Sequence, residues 1–212
     1  MLQKWKETFP DPSTSPAHYT KTLFVGCHRV VTAADAEVGG WITGFSRVVN
    51  FRVESQTPTF GSSLVPFYGF SPAIESLHLS FSTLPSSQIF ELILSFPRLE
   101  DLTMIDHGSL TNSGDGSDDL LTAVHPSSSP ALTGSLHLSL GGGIRTVTRS
   151  LLSLPGGIHF RKLNLTCYCE EDFLLAMGLV GECSHTLEFL LIARELTCDL
   201  GCTSIRHLRP HR

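Results

Sequence analysis

The sequence predicts an α/β fold in which helix–strand units repeat and stack, with a parallel sheet inside. Three observations predict it. Apolar residues switch between helical and strand spacing in a fixed order, that order recurs about every two dozen residues, and Gly and Pro fall where one element hands over to the next.

The first copy opens with Val38, Trp41, Ile42 and Phe45, spaced as one face of a helix, followed by Val48, Phe51 and Val53. The second has Leu64, Phe67 and Tyr68, with Ser71 in the fourth slot, then Ile74, Leu77 and Leu79. The third has Ile89, Leu92, Ile93 and Phe96, then Leu99, Leu102 and Met104. In all three the strand positions lie 10, 13 and 15 residues after the first helical one. Looser strand pairs extend the series at Leu23/Val25, Leu136/Leu138, Leu163/Leu165 and Leu190/Ile192. The steps from Leu23 to Leu190 are 28, 26, 25, 34, 27 and 27 residues. The long step contains a Gly- and Asp-rich stretch, read as an inserted loop at about 108–119.

Helices are expected before the later strands at Ile144 to Leu154 and Glu171 to Val180. Pro85 marks a helix start, Pro97 lies just beyond a helix end, and Gly141 to Gly143 separates a strand from a helix. Pro66 makes the second helix short or irregular. Such a unit cannot bury its own apolar face, so neighbours bury it, strand beside strand and helix outside. The repeat length is similar to that of helix-containing leucine-rich repeats. The reading is therefore a leucine-rich-repeat-like solenoid, a horseshoe segment, over residues 19–195. Residues 1–18 are a flexible N-terminal segment, and residues 196–212 a tail or truncated repeat.

Three phrases carry a family resemblance: Pro97-Arg98-Leu99-Glu100-Asp101-Leu102-Thr103-Met104, Phe70-Ser71-Pro72-Ala73-Ile74-Glu75-Ser76-Leu77-His78-Leu79, and His185-Thr186-Leu187-Glu188-Phe189-Leu190. They make residues 19–193 resemble the leucine-rich-repeat-like region of F-box proteins from mushroom-forming fungi (basidiomycetes). In that family an F-box helix bundle docks on the Skp1 adaptor of a ubiquitin ligase, and the repeats choose the substrate. The resemblance implies a substrate-recognition role without bond chemistry. The first 20 residues, with Pro10, Pro12, Ser13, Ser15 and Pro16, do not read as an F-box. Skp1 is thus expected as a partner only if an F-box is present upstream.

The residues between the inward strand positions would face the concave side. Their middle row reads Phe24, Arg52, His78, Thr103, His137, Asn164 and Leu191. Flanking positions add Asn50, Glu54, Ser76, Ser80, Asp101, Ser135, Ser139, Lys162 and Thr166. The candidate partner-binding set is Phe24, Arg52, His78, Asp101, Thr103, His137, Lys162, Asn164 and Leu191. A face polar in the middle and apolar at both ends suits a protein or peptide better than a small metabolite. Phe24, Phe189 and Leu191 are either a docking patch or ground for a terminal cap.

Composition bounds the rest. Hydrophobic residues make up 41% and charged ones 17%, too apolar for a disordered chain. The net charge of −5 argues against a general nucleic-acid binder. No apolar run reaches membrane-spanning length, and no secretory signal opens the chain. A cytoplasmic or nuclear protein is expected, with its six cysteines reduced.

The chemical alternatives are weaker. Cys198, Cys202, His207 and His211 are the right ligand types for zinc, but only four residues separate the two pairs where a finger has about 12. Cys167, Cys169, Cys183 and His185 form a second possible set, read instead as core packing with both Cys167 and Cys169 continuing the inward strand face. No P-loop, dinucleotide fingerprint, EF-hand or nucleophile elbow is present. The expectation is no enzyme, no cofactor and no metal. A stand-alone scaffold unrelated to ubiquitin, and a zinc or enzymatic protein using the Cys/His-rich C-terminal third, are the alternatives.

Overall fold

A computed structural model describes residues 14–27, 42–55, 67–81, 86–106 and 132–195, with Thr8, Leu64 and Pro130 as isolated positions. The inserted-loop expectation at 108–119 and the C-terminal tail lie outside the described residues.

Seven six-residue strands form one parallel sheet: β1 (Thr22–Cys27), β2 (Asn50–Ser55), β3 (Ser76–Phe81), β4 (Asp101–Asp106), β5 (Ser135–Leu140), β6 (Lys162–Cys167) and β7 (Phe189–Arg194). They lie in sequence order, each beside the next. The inward ladder Leu23, Phe51, Leu77, Leu102, Leu136, Leu163, Leu190 is in register strand by strand. A second ladder runs Val25, Val53, Leu79, Met104, Leu138, Leu165, Ile192. Residues from Phe51 to Leu165 on both ladders are buried. A strand alternates sides at every residue, so one face of the sheet carries the core.

The strand entries repeat in backbone chemistry as well. One carbonyl accepts two successive N–H groups of the next unit: Lys21 O from Val49 and Asn50, Val49 O from Glu75 and Ser76, Glu75 O from Glu100 and Asp101, Gly134 O from Arg161 and Lys162, and Arg161 O from Glu188 and Phe189. At the β4–β5 junction Glu100 O accepts from Gly134 N, and Ser135 N turns to Asp101 Oδ1 instead.

Three α-helices cover the core face: α1 (Ser86–Leu94), α2 (Gly142–Leu152) and α3 (Glu170–Glu182). On α1, Ile89, Phe90, Leu92 and Ile93 are buried, and on α2, Ile144, Val147 and Leu151 are fully enclosed. In the first unit, residues 28–41 lie outside the described residues; Ile42 is helical and buried, and a 3-10 turn follows at Thr43–Phe45. The second unit is irregular, as Pro66 led one to expect. In the second, Gly69 has φ of 58° and Ser71 occupies the fourth slot, its buried hydroxyl reaching Ser46 O at 2.9 Å and Val48 O at 2.8 Å. That hydroxyl binds the preceding turn rather than packing as an apolar helix residue would. Aromatic rings fill the space instead: Phe51 lies 4.9 Å from Phe70 and 5.6 Å from Phe67, and Phe70 lies 6.0 Å from Phe96, between centroids.

The N-terminal end of the core is closed. Ser15 caps the 3-10 turn Pro16–Tyr19, its hydroxyl accepting from Ala17 N at 3.3 Å, and both residues are buried. Among the described residues, no helix is long and apolar enough to cross a membrane.

Candidate functional site

Among the described residues no helix packs on the opposite face of the sheet, and its middle row is one continuous line. Phe24 pairs with Arg52, Arg52 with His78, His78 with Thr103, Thr103 with His137, His137 with Asn164, and Asn164 with Leu191. With about 4.8 Å between strands, the line is roughly 29 Å long. Phe24, Arg52 and Leu191 are exposed, and His78, Thr103, His137 and Asn164 are half-buried. Asp101 and Lys162 belong to the row nearer the strand entries, opposite Ser76 and Ser135 respectively.

The β1 end is a small charged and aromatic cluster. The Arg52 guanidinium lies 5.8 Å from the Phe24 ring centroid, a cation–π distance. Its Nε donates to Glu54 Oε1 at 2.8 Å, and its other arm reaches the same oxygen. Arg52 thus presents a largely neutralised head above an exposed ring. Beside it Asn50 donates to Thr22 at 3.4 Å.

In the middle, one Asp101 oxygen accepts from both the backbone N–H and the hydroxyl of Ser135, each at 2.6 Å. Gly134 makes room for this, because a Cβ there would collide with the same oxygen. The Asp101 carboxylate is therefore committed to joining β4 and β5. His78 and His137 are separated by Thr103, two strand spacings or about 10 Å apart. One metal ion bonded at about 2 Å cannot join them.

The row nearer the strand exits is covered in part. Ser80 and Ser139 are buried, although their positions suggest open sheet face. Ser139 shares a 2.6 Å hydrogen bond with the Tyr168 hydroxyl, so Tyr168 folds over the end of β5. The middle and entry rows are accessible along their length, and the exit row away from these two serines. Tyr168 carries no period signal, since it follows a strand in a connection.

The connection from β6 to α3 is held by one buried carboxylate. Asp172, fully enclosed, accepts from Arg145 Nε at 2.6 Å, Tyr168 N at 2.8 Å and Cys169 N at 3.1 Å. Cys169 is the N-cap of α3 and its thiol receives Arg145 at 3.2 Å, so it leaves the inward strand face that Cys167 continues. The carboxylate favours the charged guanidinium and raises the Arg145 pKa. Cys167 and Cys183 are buried free thiols, and Cys183 faces the Ile158 carbonyl at 3.8 Å. Burial pushes both thiols up from the ordinary cysteine value. Among the described residues, no three His, Cys, Asp or Glu side chains cluster as a metal would need. Cys198, Cys202, His207 and His211 lie outside the described residues.

Large apolar side chains are exposed at the two sheet ends: Tyr19 and Phe24 at the first, and Phe189, Leu190 and Leu191 at the last. Phe173, Leu174 and Met177 on α3 are exposed as well.

No family model, curated protein or solved structure matches the chain. The open strip is thus interpreted from its own chemistry: hydroxyls, imidazoles and an amide in the middle, with Phe24 and Leu191 at the ends.

Proposed function

We propose that the chain is a non-enzymatic protein-interaction module, a leucine-rich-repeat-like solenoid whose open sheet face docks a polypeptide. The observation that carries the reading is the uninterrupted row from Phe24 to Leu191, standing on a sheet whose other face is buried in the core from Phe51 to Leu165. A strip of this length accommodates an extended segment of about eight or nine residues at 3.3 Å each. The polar middle offers donors and acceptors to a backbone, and Phe24 and Leu191 offer apolar anchors at the ends. The strand-entry carbonyls of Lys21, Val49 and Glu75, and again of Gly134 and Arg161, recur at steps of 26 to 28 residues and support the solenoid reading.

The family setting we propose is that of F-box-type ubiquitin-ligase adaptors, in which such repeats select the substrate. It rests on the phrases at Phe70–Leu79, Pro97–Met104 and His185–Leu190. Skp1 enters only through an F-box, so the docking claim is tested on the repeats themselves.

The test is partner recovery by proximity labelling with the double variant Arg52→Glu/His78→Glu. Reversing one charge and adding another near Glu54 repels an acidic segment, takes the imidazole and guanidinium donors from any other, and removes the Phe24 contact. Recovery of face-bound partners is expected to fall about tenfold, or 1.4 kcal/mol, with an unchanged circular dichroism spectrum. Unchanged recovery by a folded variant overturns the reading.

A further inference from the structure

We propose that the β7 end of the sheet is a self-association surface, on which a second copy of this chain pairs its own β7 antiparallel about Leu191. The two ends of the core are treated differently. At the first, inward Leu23 is 9% exposed beneath the 3-10 turn that buries Ala17. At the last, the equivalent Leu190 is 43% exposed, and Phe189 and Leu191 beside it are about half exposed.

Helix α3 contributes to the same end. Its Ala176 and Leu179 are buried against the core, while Glu171 pairs with Arg149 of α2 and a Cβ on Gly178 would touch Leu152 of α2. These contacts fix the helix rotation. At 100° per residue, Phe173, Met177 and Val180 then lie on the side away from α2. Phe173 and Met177 are each 46% exposed there.

Among the described residues, no strand pairs with the outer edge of β7, which faces the same way. Phe189 N donates to Arg161 O and Glu195 N to Cys167 O, so odd-numbered residues face β6. Leu190, Ile192 and Arg194 therefore direct their N–H and C=O groups outward.

A second copy fits this edge in one register. Centred on Leu191, a twofold axis perpendicular to the sheet sets Leu191 opposite its own copy, Leu190 opposite Ile192, Phe189 opposite Ala193 and Glu188 opposite Arg194. The two Leu190/Ile192 pairs exchange four backbone hydrogen bonds, and opposite charges meet at both ends of the strand. Every side chain keeps its face, so core abuts core. Five large side chains, each about half exposed, offer roughly 450 Å² of apolar surface per copy. The strand edge and flanking residues bring this towards the ~800 Å² per partner of a standard interface. The pairing is isologous and closes at two copies. It does not depend on the open face binding a polypeptide.

The experiment is light scattering on the full chain over a concentration series, with cysteine cross-linking. A dimer of about 46 kDa, twice the 23.1 kDa chain, is expected. Leu191→Cys should cross-link to its own copy above the background of the unsubstituted chain, because Cα atoms in that opposed pair are about 4.5 Å apart. Leu190→Cys should not, since it meets Ile192. Glu188→Arg and Arg194→Glu, both at exposed positions, should each weaken the dimer, and together restore it at least in part. A monomer throughout the series, as when another segment of the chain covers this end, overturns the proposal. So does a dimer in which Leu190→Cys cross-links as well as Leu191→Cys, or in which the charge exchange restores nothing.

Discussion

Replacing Asp172 with Ala removes three interactions at once. Its carboxylate is fully enclosed and holds Arg145 through one oxygen, and Tyr168 N and Cys169 N through the other. Losing the acceptor at the start of α3 costs about 1 kcal/mol, as for other N-terminal caps. Breaking a buried ion pair costs about 3–5 kcal/mol when the surviving charge is stranded. Arg145 is not wholly stranded, because its side chain is 27% exposed and also reaches Glu171 at 3.5 Å. A total near 3 kcal/mol follows, which in a chain of this size lowers Tm by about 6–12 °C. The change also frees Tyr168 from its backbone anchor and so loosens its bond to Ser139 at the edge of the open face. Urea unfolding followed by circular dichroism measures the cost, with Glu171→Gln as the exposed control expected within about 0.5 kcal/mol of the parent. A double cycle with Arg145→Ala should return a coupling of about 1–3 kcal/mol. An Asp172→Ala protein within about 0.5 kcal/mol of the parent would refute the reasoning.

Two further predictions concern titratable groups. Cys167 and Cys183 should resist iodoacetamide at pH 8 in the folded chain and react in urea, because burial raises their pKa and blocks approach. Peptide mass spectrometry reads each site, and labelling at the unfolded rate would contradict the burial. Tyr68 is raised above the ordinary tyrosine value by burial first and then by Glu91, to which its hydroxyl donates at 3.1 Å. A raised folded pKa means stability fully present below about pH 10 and lost as pH climbs through the folded value. Tyr68→Phe should remove the part of the ultraviolet titration that lies above the ordinary tyrosine range and should flatten the alkaline loss. A variant whose titration above that range is unchanged would contradict this.

The strands were legible because their signal is local and repeated. Leu77/Leu79 and Leu163/Leu165 each name an inward face by alternation alone, and the recurrence of that pair in every unit sets the register between them. Helices α1, α2 and α3 were legible for a similar reason, with Ile89, Ile144 and Ala176 on apolar faces. The second unit was legible as short or irregular from Pro66, but not as a turn packed on phenylalanines, which apolar spacing alone cannot distinguish from a helix. Ser71 in the apolar series is explained by its hydroxyl bonds.

In the candidate site, the middle row follows from strand parity. The cover over Ser80 and Ser139 does not, since Tyr168 reaches Ser139 from 29 residues away through a connection with no periodicity. The same holds for Asp172 and Arg145, 27 residues apart on different helices. Cys169 looked like the next inward strand residue after Cys167, but the strand ends at Cys167 and the helix begins at Glu170. A reversal of direction lies between them, and alternation says nothing across it.

The account depends on a sheet with one face sealed and the other open to a partner. Thiol accessibility at two adjacent residues of the central strand tests this most directly. Thr103→Cys, at a half-buried position, should label in the folded chain, and Met104→Cys only as fast as the chain unfolds. Equal protection at both positions would mean that the proposed docking face is covered, and the functional reading would fail with it.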